Sequence, residues 1–154
     1  MKRSLPLLRS CLVNIVTAVL LASLARAADS TNMKTLTTDE LLQTLQAKKG
    51  TKPLLFYVGP RMLYAQAHIP GSEYIGQGST PEGLQNLRNR ASKLSKTAAI
   101  VLYCGCCPWS HCPNVNPAYD LLQGLGFTNV KVLYLANNFG ADWAYKGYPV
   151  AKGE

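Results

Sequence analysis

The chain reads AAIVLYCGCCPWSHCPN from residue 98 to residue 114, an apolar run followed at once by a loop rich in cysteine. The apolar part, residues 98–103, consists largely of residues that favour β-structure, and it predicts a strand buried on both faces. Four of the five cysteines follow within a few residues: Cys104, Cys106, Cys107 and Cys112. The chemistry of the protein is therefore expected where this strand ends.

Extended and helical segments alternate on either side of this strand. Short apolar runs bounded by turn residues predict further strands at residues 53–58, 73–75 and 130–135. Helix-start patterns and apolar spacing predict helices over residues 37–50, 80–94 and 117–122. This alternation is typical of the α/β class, with a mainly parallel central sheet flanked by helices on both faces.

Cys104 is the residue that leaves the predicted central strand. In parallel sheets, reactive groups gather at the carboxyl ends of the strands. A loop at this place can turn its backbone N–H groups inward and, with the N-terminus of the next helix, form a seat for an anion. A thiol in such a seat has a lowered pKa and is held as the thiolate that attacks sulfur. Cys104 is thus predicted to be the nucleophile.

The clustering of the cysteines argues against a scaffold of stabilising disulfides, because such bridges usually close long loops. Thiol chemistry and metal binding remain as alternatives. In the second case, Cu(I) or zinc would be held by soft ligands of the loop, with His111 as a further donor. The candidate ligands are Cys104, Cys106, Cys107 and Cys112.

Three stretches give the chain a resemblance to a known family. Residues 68–72 read HIPGS, residues 101–104 read VLYC, and the last motif reads NFGADW and GYPV over residues 138–143 and 147–150. Together and in this order, they resemble the rhodanese-like superfamily. The resemblance implies a rhodanese-like α/β fold. It also implies that the Cys104 thiolate takes a sulfane sulfur from a donor and passes the persulfide to a thiophilic acceptor.

The loop departs from the pattern of that family. Cys104 lies 22 positions before Gly126, which is longer than the family spacing, so Cys107 is the second choice for the catalytic cysteine. The loop contains no Arg or Lys, so binding of an anionic donor would rest on backbone N–H groups and His111. The loop residues predicted to bind substrate or to resolve a persulfide are Gly105, Cys106, Cys107, Trp109, Ser110, His111 and Cys112.

The chain begins with the pattern of a secretory signal. Basic residues at Lys2 and Arg3 precede an apolar run over residues 11–24, which ends in the small-residue spacing of Ala25 and Ala27. The apolar run is shorter than the roughly 20 residues that span a bilayer. We therefore expect residues 1–27 to be a cleaved signal peptide and residues 28–154 to form a single domain that is periplasmic or secreted. An uncleaved membrane anchor is the alternative.

The net charge of +8 overstates the basicity of the predicted domain. Four of the 16 basic residues lie in the leader, so half of this net charge would be lost with it. The remaining basic residues are not interleaved with aromatic residues, so no nucleic-acid partner is predicted, and no membrane contact is predicted after cleavage. The expected partners are a small sulfur donor, such as thiosulfate or a polysulfide, and a thiol acceptor. No cofactor is predicted.

The function predicted from the sequence is that of an exported, rhodanese-like sulfurtransferase. It would move sulfane sulfur through a cysteine persulfide at the loop after the strand at residues 98–103. The alternatives are a thiol-redox protein or a copper- or zinc-binding module that uses the same cysteines, and a catalytically inactive interaction domain.

Overall fold

The computed structural model describes residues 33–153, so the predicted leader at residues 1–27 lies outside the described residues. Five strands are present in this range: β1 (Thr35–Leu36), β2 (Leu54–Tyr57), β3 (Glu73–Tyr74), β4 (Ile100–Tyr103) and β5 (Val130–Leu133). They alternate with the α-helices α1 (Thr38–Gln46), α2 (Arg61–Gln66), α3 (Pro81–Ala91), α4 (Val115–Gly124) and α5 (Phe139–Asp142). Short 3-10 helices lie at Trp109–His111 and Ala144–Lys146.

The five strands form one parallel sheet in the order β1-β5-β4-β2-β3. The strand predicted to be central, β4, occupies the middle position, with Tyr103 opposite Tyr57 of β2 and Leu102 opposite Val132 of β5. The carboxyl end of β4 is therefore surrounded by other strand ends. The loop that begins at Cys104 starts at the centre of this edge.

Helices cover both faces of the sheet, as predicted. Ile100 and Leu102 of β4 pack on one face in a core that also contains buried residues of α3 and α4. Val101 and Tyr103 point to the other face, where the core includes residues of α1, α2 and α5. Burial of each aliphatic side chain of β4, those of Ile100, Val101 and Leu102, stabilises the fold by about 1.5–3 kcal/mol. All four residues of β4 are buried, which explains its uninterrupted apolar sequence.

Several helix boundaries differ from the prediction, among them the end of α3, which lies at Ala91 rather than at Leu94, and the end of α4, which lies at Gly124 rather than at Leu122. Helix α1 has the expected capping box, in which Thr37 and Glu40 exchange hydrogen bonds, but it ends at Gln46 rather than at Gly50. The residues after Gln46 are exposed, so no packing holds a further turn. Helix α4 begins at Val115 rather than at Pro117, so the proline lies in the first turn of the helix. Proline is tolerated there, because the N–H groups of the first turn have no partner within the helix.

No helix within residues 33–153 is both long enough and apolar enough to cross a bilayer.

Candidate functional site

Cys104 lies directly after β4 and is buried, with 2% of its surface exposed. Gly59, which follows β2, comes so close that a Cβ atom there would lie 2.7 Å from Cys104 Sγ. The next residue, Gly105, has a φ of +75°, and a Cβ atom on it would meet the Phe139 side chain at 2.6 Å. Glycine is thus needed on both sides of the thiol, for close approach at position 59 and for backbone conformation at position 105.

Three of the four loop cysteines come together. The Sγ atoms of Cys104, Cys106 and Cys112 all lie within 4.8 Å of one another, and we call these residues the thiol triad. The fourth residue, Cys107, is outside this group; its Sγ lies 3.0 Å from Cys106 Sγ and 3.5 Å from the carbonyl oxygen of His111. All four cysteines are free thiols, so the triad is in position for sulfur exchange or for binding a soft metal.

Asn114 holds the triad in place. Its side chain is 2% exposed, and its Nδ2 donates hydrogen bonds to Cys104 Sγ at 3.4 Å and to Cys106 Sγ at 3.8 Å. Its Oδ1 accepts from the backbone N–H of Ser79 at 3.1 Å and from the Ser79 hydroxyl at 2.8 Å. Because both donors of Ser79 point at Oδ1, the Nδ2 amino group on the other side of the Asn114 amide must face the sulfur atoms.

The pKa of one thiol of the triad, Cys112, is lowered. A hydrogen bond from the Cys104 thiol, together with the backbone N–H groups of Asn114 and Val115, lowers the pKa of Cys112 to about 6. These two N–H groups belong to the start of helix α4, where unpaired N–H groups favour an anion. Cys112 is therefore the thiolate of the site near neutral pH.

The pKa of Cys104 is shifted in the direction opposite to the one predicted from the sequence. The hydrogen bond that its thiol donates to Cys112, followed by burial, raises the pKa of Cys104 well above its usual range. The backbone N–H of Cys106 acts in the opposite direction. Burial and the neighbouring Cys106 thiol also raise the pKa of Cys107. The anion seat exists, but it lies at the end of the loop rather than at its beginning.

The loop backbone explains this shift of the seat. The N–H of Trp109 is bonded to the carbonyl of Ala136, and the N–H groups of His111 and Cys112 bond to carbonyls of the loop itself. The carbonyl of Gly105 accepts from the N–H of Phe139 at 3.0 Å. Three N–H groups of the loop are thus used elsewhere, two of them within the loop and that of Trp109 to fasten the loop to the segment after β5.

Two cavities flank the thiol triad. The first, which we call the Trp109 cavity, has a volume of about 430 Å³ and is lined by Cys112 together with Trp109, Ser110, Asn116 and Tyr134. The ring centroids of Trp109 and Tyr134 are 5.1 Å apart, so these aromatic residues form one wall.

The second, the Tyr145 cavity, has a volume of about 320 Å³ and is lined by Cys106 together with Tyr57, Leu63, Phe139 and Tyr145. Within the described residues, Cys104 lines neither of the two cavities. The buried member of the triad thus lies between two thiols that each reach a cavity.

The remaining predicted loop residues lie around the triad without joining it. Ser110 and His111 are exposed and contact each other, with Ser110 Oγ 2.9 Å from His111 Nδ1. His111 is not part of the sulfur group. Elsewhere, His68 is buried and its ring stacks on that of Tyr64, with the ring centroids 3.9 Å apart, so it is a packing residue. Trp143 is fully buried in the core.

Asn114 and Ser79 were missed by the sequence reasoning. The two residues are 35 positions apart, and nothing in either local sequence indicates their contact. The one available signal for Asn114 is its place just before helix α4, where asparagine is a frequent capping residue. In this structure its side chain makes no capping bond and turns to the sulfur atoms instead.

Solved structures with this fold include rhodanese-like domains. The chain matches the rhodanese-like domain of the Alr3790 protein from Anabaena sp. with a TM-score of 0.59 and 22% identity, over 79% of this chain and 80% of that one. It matches the BH2092 protein from Bacillus halodurans with a TM-score of 0.56 and 22% identity, over 77% of each chain.

A third match is EanB, in a structure that contains a cysteine persulfide in a tetrahedral intermediate state with ergothioneine. Its TM-score is 0.52 and the identity is 24%, over 77% of this chain and 28% of EanB. At these identities the three structures show the fold alone. No curated protein sequence matches the chain.

The sequence itself matches a family model. The model of the rhodanese-like domain aligns with residues 37–135, which is well over half of the 154 residues. The matched range runs from the cap of α1 through β5 and includes the whole thiol triad. The chain therefore belongs to the rhodanese-like domain family.

Proposed function

We propose that this protein is a sulfurtransferase that carries sulfane sulfur as a persulfide on Cys104. The observation that carries this proposal is the thiol triad, in which a buried cysteine at the end of the central strand has two further sulfur atoms within 4.8 Å. Closely spaced thiols exchange sulfur with one another readily, because the attack is intramolecular. EanB, which shares the fold, holds a cysteine persulfide in one of its structures.

The surroundings of Cys104 suit a persulfide. The Asn114 amide donates to its sulfur, and the backbone N–H of Cys106 also points at it. Donors of this kind stabilise an anionic sulfur in a site from which water is largely excluded. The Cys104 proton has a destination in the Cys112 sulfur, which lies within 4.8 Å and shares a hydrogen bond with the Cys104 thiol.

The sulfur transfer needs no external oxidant, because the sulfane sulfur keeps its oxidation state as it moves from one sulfur atom to another. The Cys104 proton moves to the Cys112 sulfur, and the Cys104 thiolate attacks a sulfane sulfur on its carrier, which is either the donor itself or a triad thiol that has taken the sulfur from the donor. The bond between that sulfur and its carrier breaks, and the carrier leaves with the electron pair, as sulfite does when the donor is thiosulfate. An acceptor thiolate then attacks the outer sulfur of the persulfide, and Cys104 leaves as the thiolate.

The proposed donor is thiosulfate or a polysulfide, and the proposed acceptor is a thiol. Neither cavity is lined by Lys or Arg among the described residues, so an anionic donor would be bound by backbone N–H groups and polar side chains. A polysulfide, which carries its charge on sulfur, is less dependent on a guanidinium or ammonium group than the sulfonate end of thiosulfate. We therefore expect polysulfide to be the better donor.

We also propose that the protein works in the periplasm or outside the cell, after removal of residues 1–27. The basic cap, the apolar run and the Ala25-Arg26-Ala27 spacing support this. The full chain expressed in a bacterial host should be recovered from the periplasm or medium with the mass of residues 28–154. Recovery of the uncleaved chain in the membrane fraction would contradict export by a cleaved signal.

The direct test is the intact mass of protein purified without reductant, before and after incubation with polysulfide or thiosulfate. The expected result is a gain of about 32 Da, one sulfur atom, that disappears when a small thiol is added. An unchanged mass with both donors, in protein whose thiols titrate as free, would contradict sulfur transfer.

Metal binding is the second candidate function, and the geometry of the triad favours it specifically. Three sulfur atoms within 4.8 Å of one another match the soft ligand set of Cu(I), or of zinc with one further ligand. We propose Cys104, Cys106 and Cys112 as the ligands, because their sulfur atoms lie together and Cys107 is outside the group. One copper or zinc ion per chain, lost on replacing any triad cysteine but kept in Cys107→Ser, would favour this function.

A further inference from the structure

The three members of the thiol triad differ in what they can reach. Cys112 lines the Trp109 cavity, Cys106 lines the Tyr145 cavity, and Cys104 lines neither. A molecule in either cavity therefore meets Cys112 or Cys106 before it meets Cys104. Since all three sulfur atoms lie within 4.8 Å, a sulfur atom that is bound to one thiol is within reach of the next.

We propose that the triad is a sulfur relay with two separate openings. In this relay, Cys112 takes the sulfane sulfur from the donor in the Trp109 cavity, Cys104 holds it, and Cys106 delivers it to the acceptor in the Tyr145 cavity. The relay rests on the proposed sulfur transfer and assigns a separate place to donor and acceptor.

Each step is an exchange between a persulfide and a thiol. The Cys112 thiolate attacks the sulfane sulfur of the donor, and the donor fragment leaves with the electron pair. Cys104 then attacks the outer sulfur, the bond to Cys112 breaks, and the Cys104 proton passes to Cys112. Cys106 repeats this exchange with Cys104. An acceptor thiolate finally removes the sulfur from Cys106, which leaves as the thiolate.

The direction of the relay follows from the two openings. The donor side is the Trp109 cavity, because Cys112 lines it and lies just before helix α4, where the N–H groups of Asn114 and Val115 reach its sulfur. The Trp109 cavity also offers the polar side chains of Ser110 and Asn116 to a small donor.

The Tyr145 cavity is suited to the acceptor, which removes the sulfur in the last step. It is lined mainly by apolar and aromatic side chains, among them Leu63, Phe139 and Tyr145. It therefore fits an acceptor molecule that carries apolar groups next to its thiol. Asn114 connects this side to the buried thiol, because its Nδ2 donates to both Cys104 and Cys106 and so fixes these two sulfur atoms relative to each other.

A matched pair of variants tests the two openings separately. Asn116 and Gln66 are exposed helical residues that line the Trp109 cavity and the Tyr145 cavity, respectively. Asn116→Trp and Gln66→Trp each fill one cavity without touching a cysteine. Uptake is followed as the rate of mass gain with polysulfide, and release as the rate of mass loss when a peptide thiol is added to preloaded protein.

The relay predicts that Asn116→Trp slows uptake by about tenfold or more and leaves release unchanged, whereas Gln66→Trp does the reverse. If both variants slow the same step, or if neither slows either step, the relay is wrong while sulfur transfer itself stands. If the wild-type protein takes up no sulfur, the proposed function fails instead.

Cys112→Ser adds a chemical test. The relay predicts that this variant loses uptake, whereas uptake onto Cys104 at the wild-type rate would overturn it. The circular dichroism spectrum and melting temperature show whether the variant folds; if it does not, the two cavity-filling variants decide.

Discussion

Cys104 and Cys112 stand at the two ends of one loop, and they differ in almost every physical respect. Cys104 is fixed by the sheet, buried at the end of β4 and hydrogen bonded by Asn114. Cys112 is fixed by a helix start, reaches a cavity and rests as the thiolate. The position of a cysteine in the fold therefore does not set its acidity. The hydrogen bonds that reach its sulfur atom, from a neighbouring thiol and from backbone N–H groups, set its acidity.

The largest expected effect separates these two cysteines from Cys107. Cys104→Ser should reduce steady-state sulfur transfer from polysulfide to a thiol acceptor by about a thousandfold or more, because the atom that holds the persulfide is lost. Cys107→Ser is the matched control, since its thiol lies outside the triad, and its loss should stay within about tenfold. A greater loss in Cys107→Ser than in Cys104→Ser would make Cys107 the persulfide carrier.

The next effect concerns the packing beneath the loop. A Cβ atom on Gly78 would lie 2.0 Å from the carbonyl oxygen of Asn114. Gly78→Ala should therefore lower the free energy of unfolding by about 3 kcal/mol, since backbone cannot yield as a flexible side chain can. Gly124→Ala, at a helical glycine with nothing within 4 Å, is the control and should change stability by less than about 1 kcal/mol. Equal melting temperatures for the two variants would contradict this account of the packing.

The acidity of Cys112 predicts a pH dependence of alkylation. Its pKa is lowered to about 6, so the thiolate is protonated as the pH falls through that value. The rate of iodoacetamide modification at Cys112, followed by peptide mass mapping, should be nearly constant from pH 7 to 8. Below pH 6 it should fall about tenfold per pH unit. A midpoint near 8.5, the ordinary value for a thiol, would mean that the start of helix α4 does not hold an anion.

The smallest effect on sulfur transfer is expected for Asn114, which lies between the sulfur atoms and Ser79. Asn114→Ala removes the donors to Cys104 and Cys106 and leaves the two donors of Ser79 without their acceptor. Sulfur transfer should fall by about tenfold, with a loss of roughly 1–3 kcal/mol in the free energy of unfolding. Ser79→Ala is the comparison, because it weakens only the support of Asn114. A Ser79→Ala variant less active than Asn114→Ala would reverse the assigned roles.

Much of the framework was predictable because it depends on local apolar patterns. The uninterrupted run in β4 indicated a central strand, and the spacing of Thr37 and Glu40 indicated the start of α1. Proline was a less certain guide, since Pro117 lies inside the first turn of α4 rather than at its beginning. Local sequence predicts that a helix exists more reliably than where it begins.

The site was predictable only as a set of cysteines. The sequence placed the four thiols in one loop, but the path of the loop decides which three converge and which one receives the N–H groups of α4. That path is fastened by Ala136 and Phe139, and the triad is held by Asn114 through Ser79. These contacts join distant parts of the chain, so no local pattern reveals them.

Sulfur transfer by this protein is proposed to pass through a persulfide on Cys104. The most direct measurement is to load the wild-type protein with polysulfide, block all thiols and persulfides with an alkylating agent, and locate the additional sulfur by peptide mass mapping. Cys104 is expected to hold most of the additional sulfur, with smaller amounts on Cys112 and Cys106. Sulfur found mainly on Cys107, or on no cysteine of the loop, would contradict it.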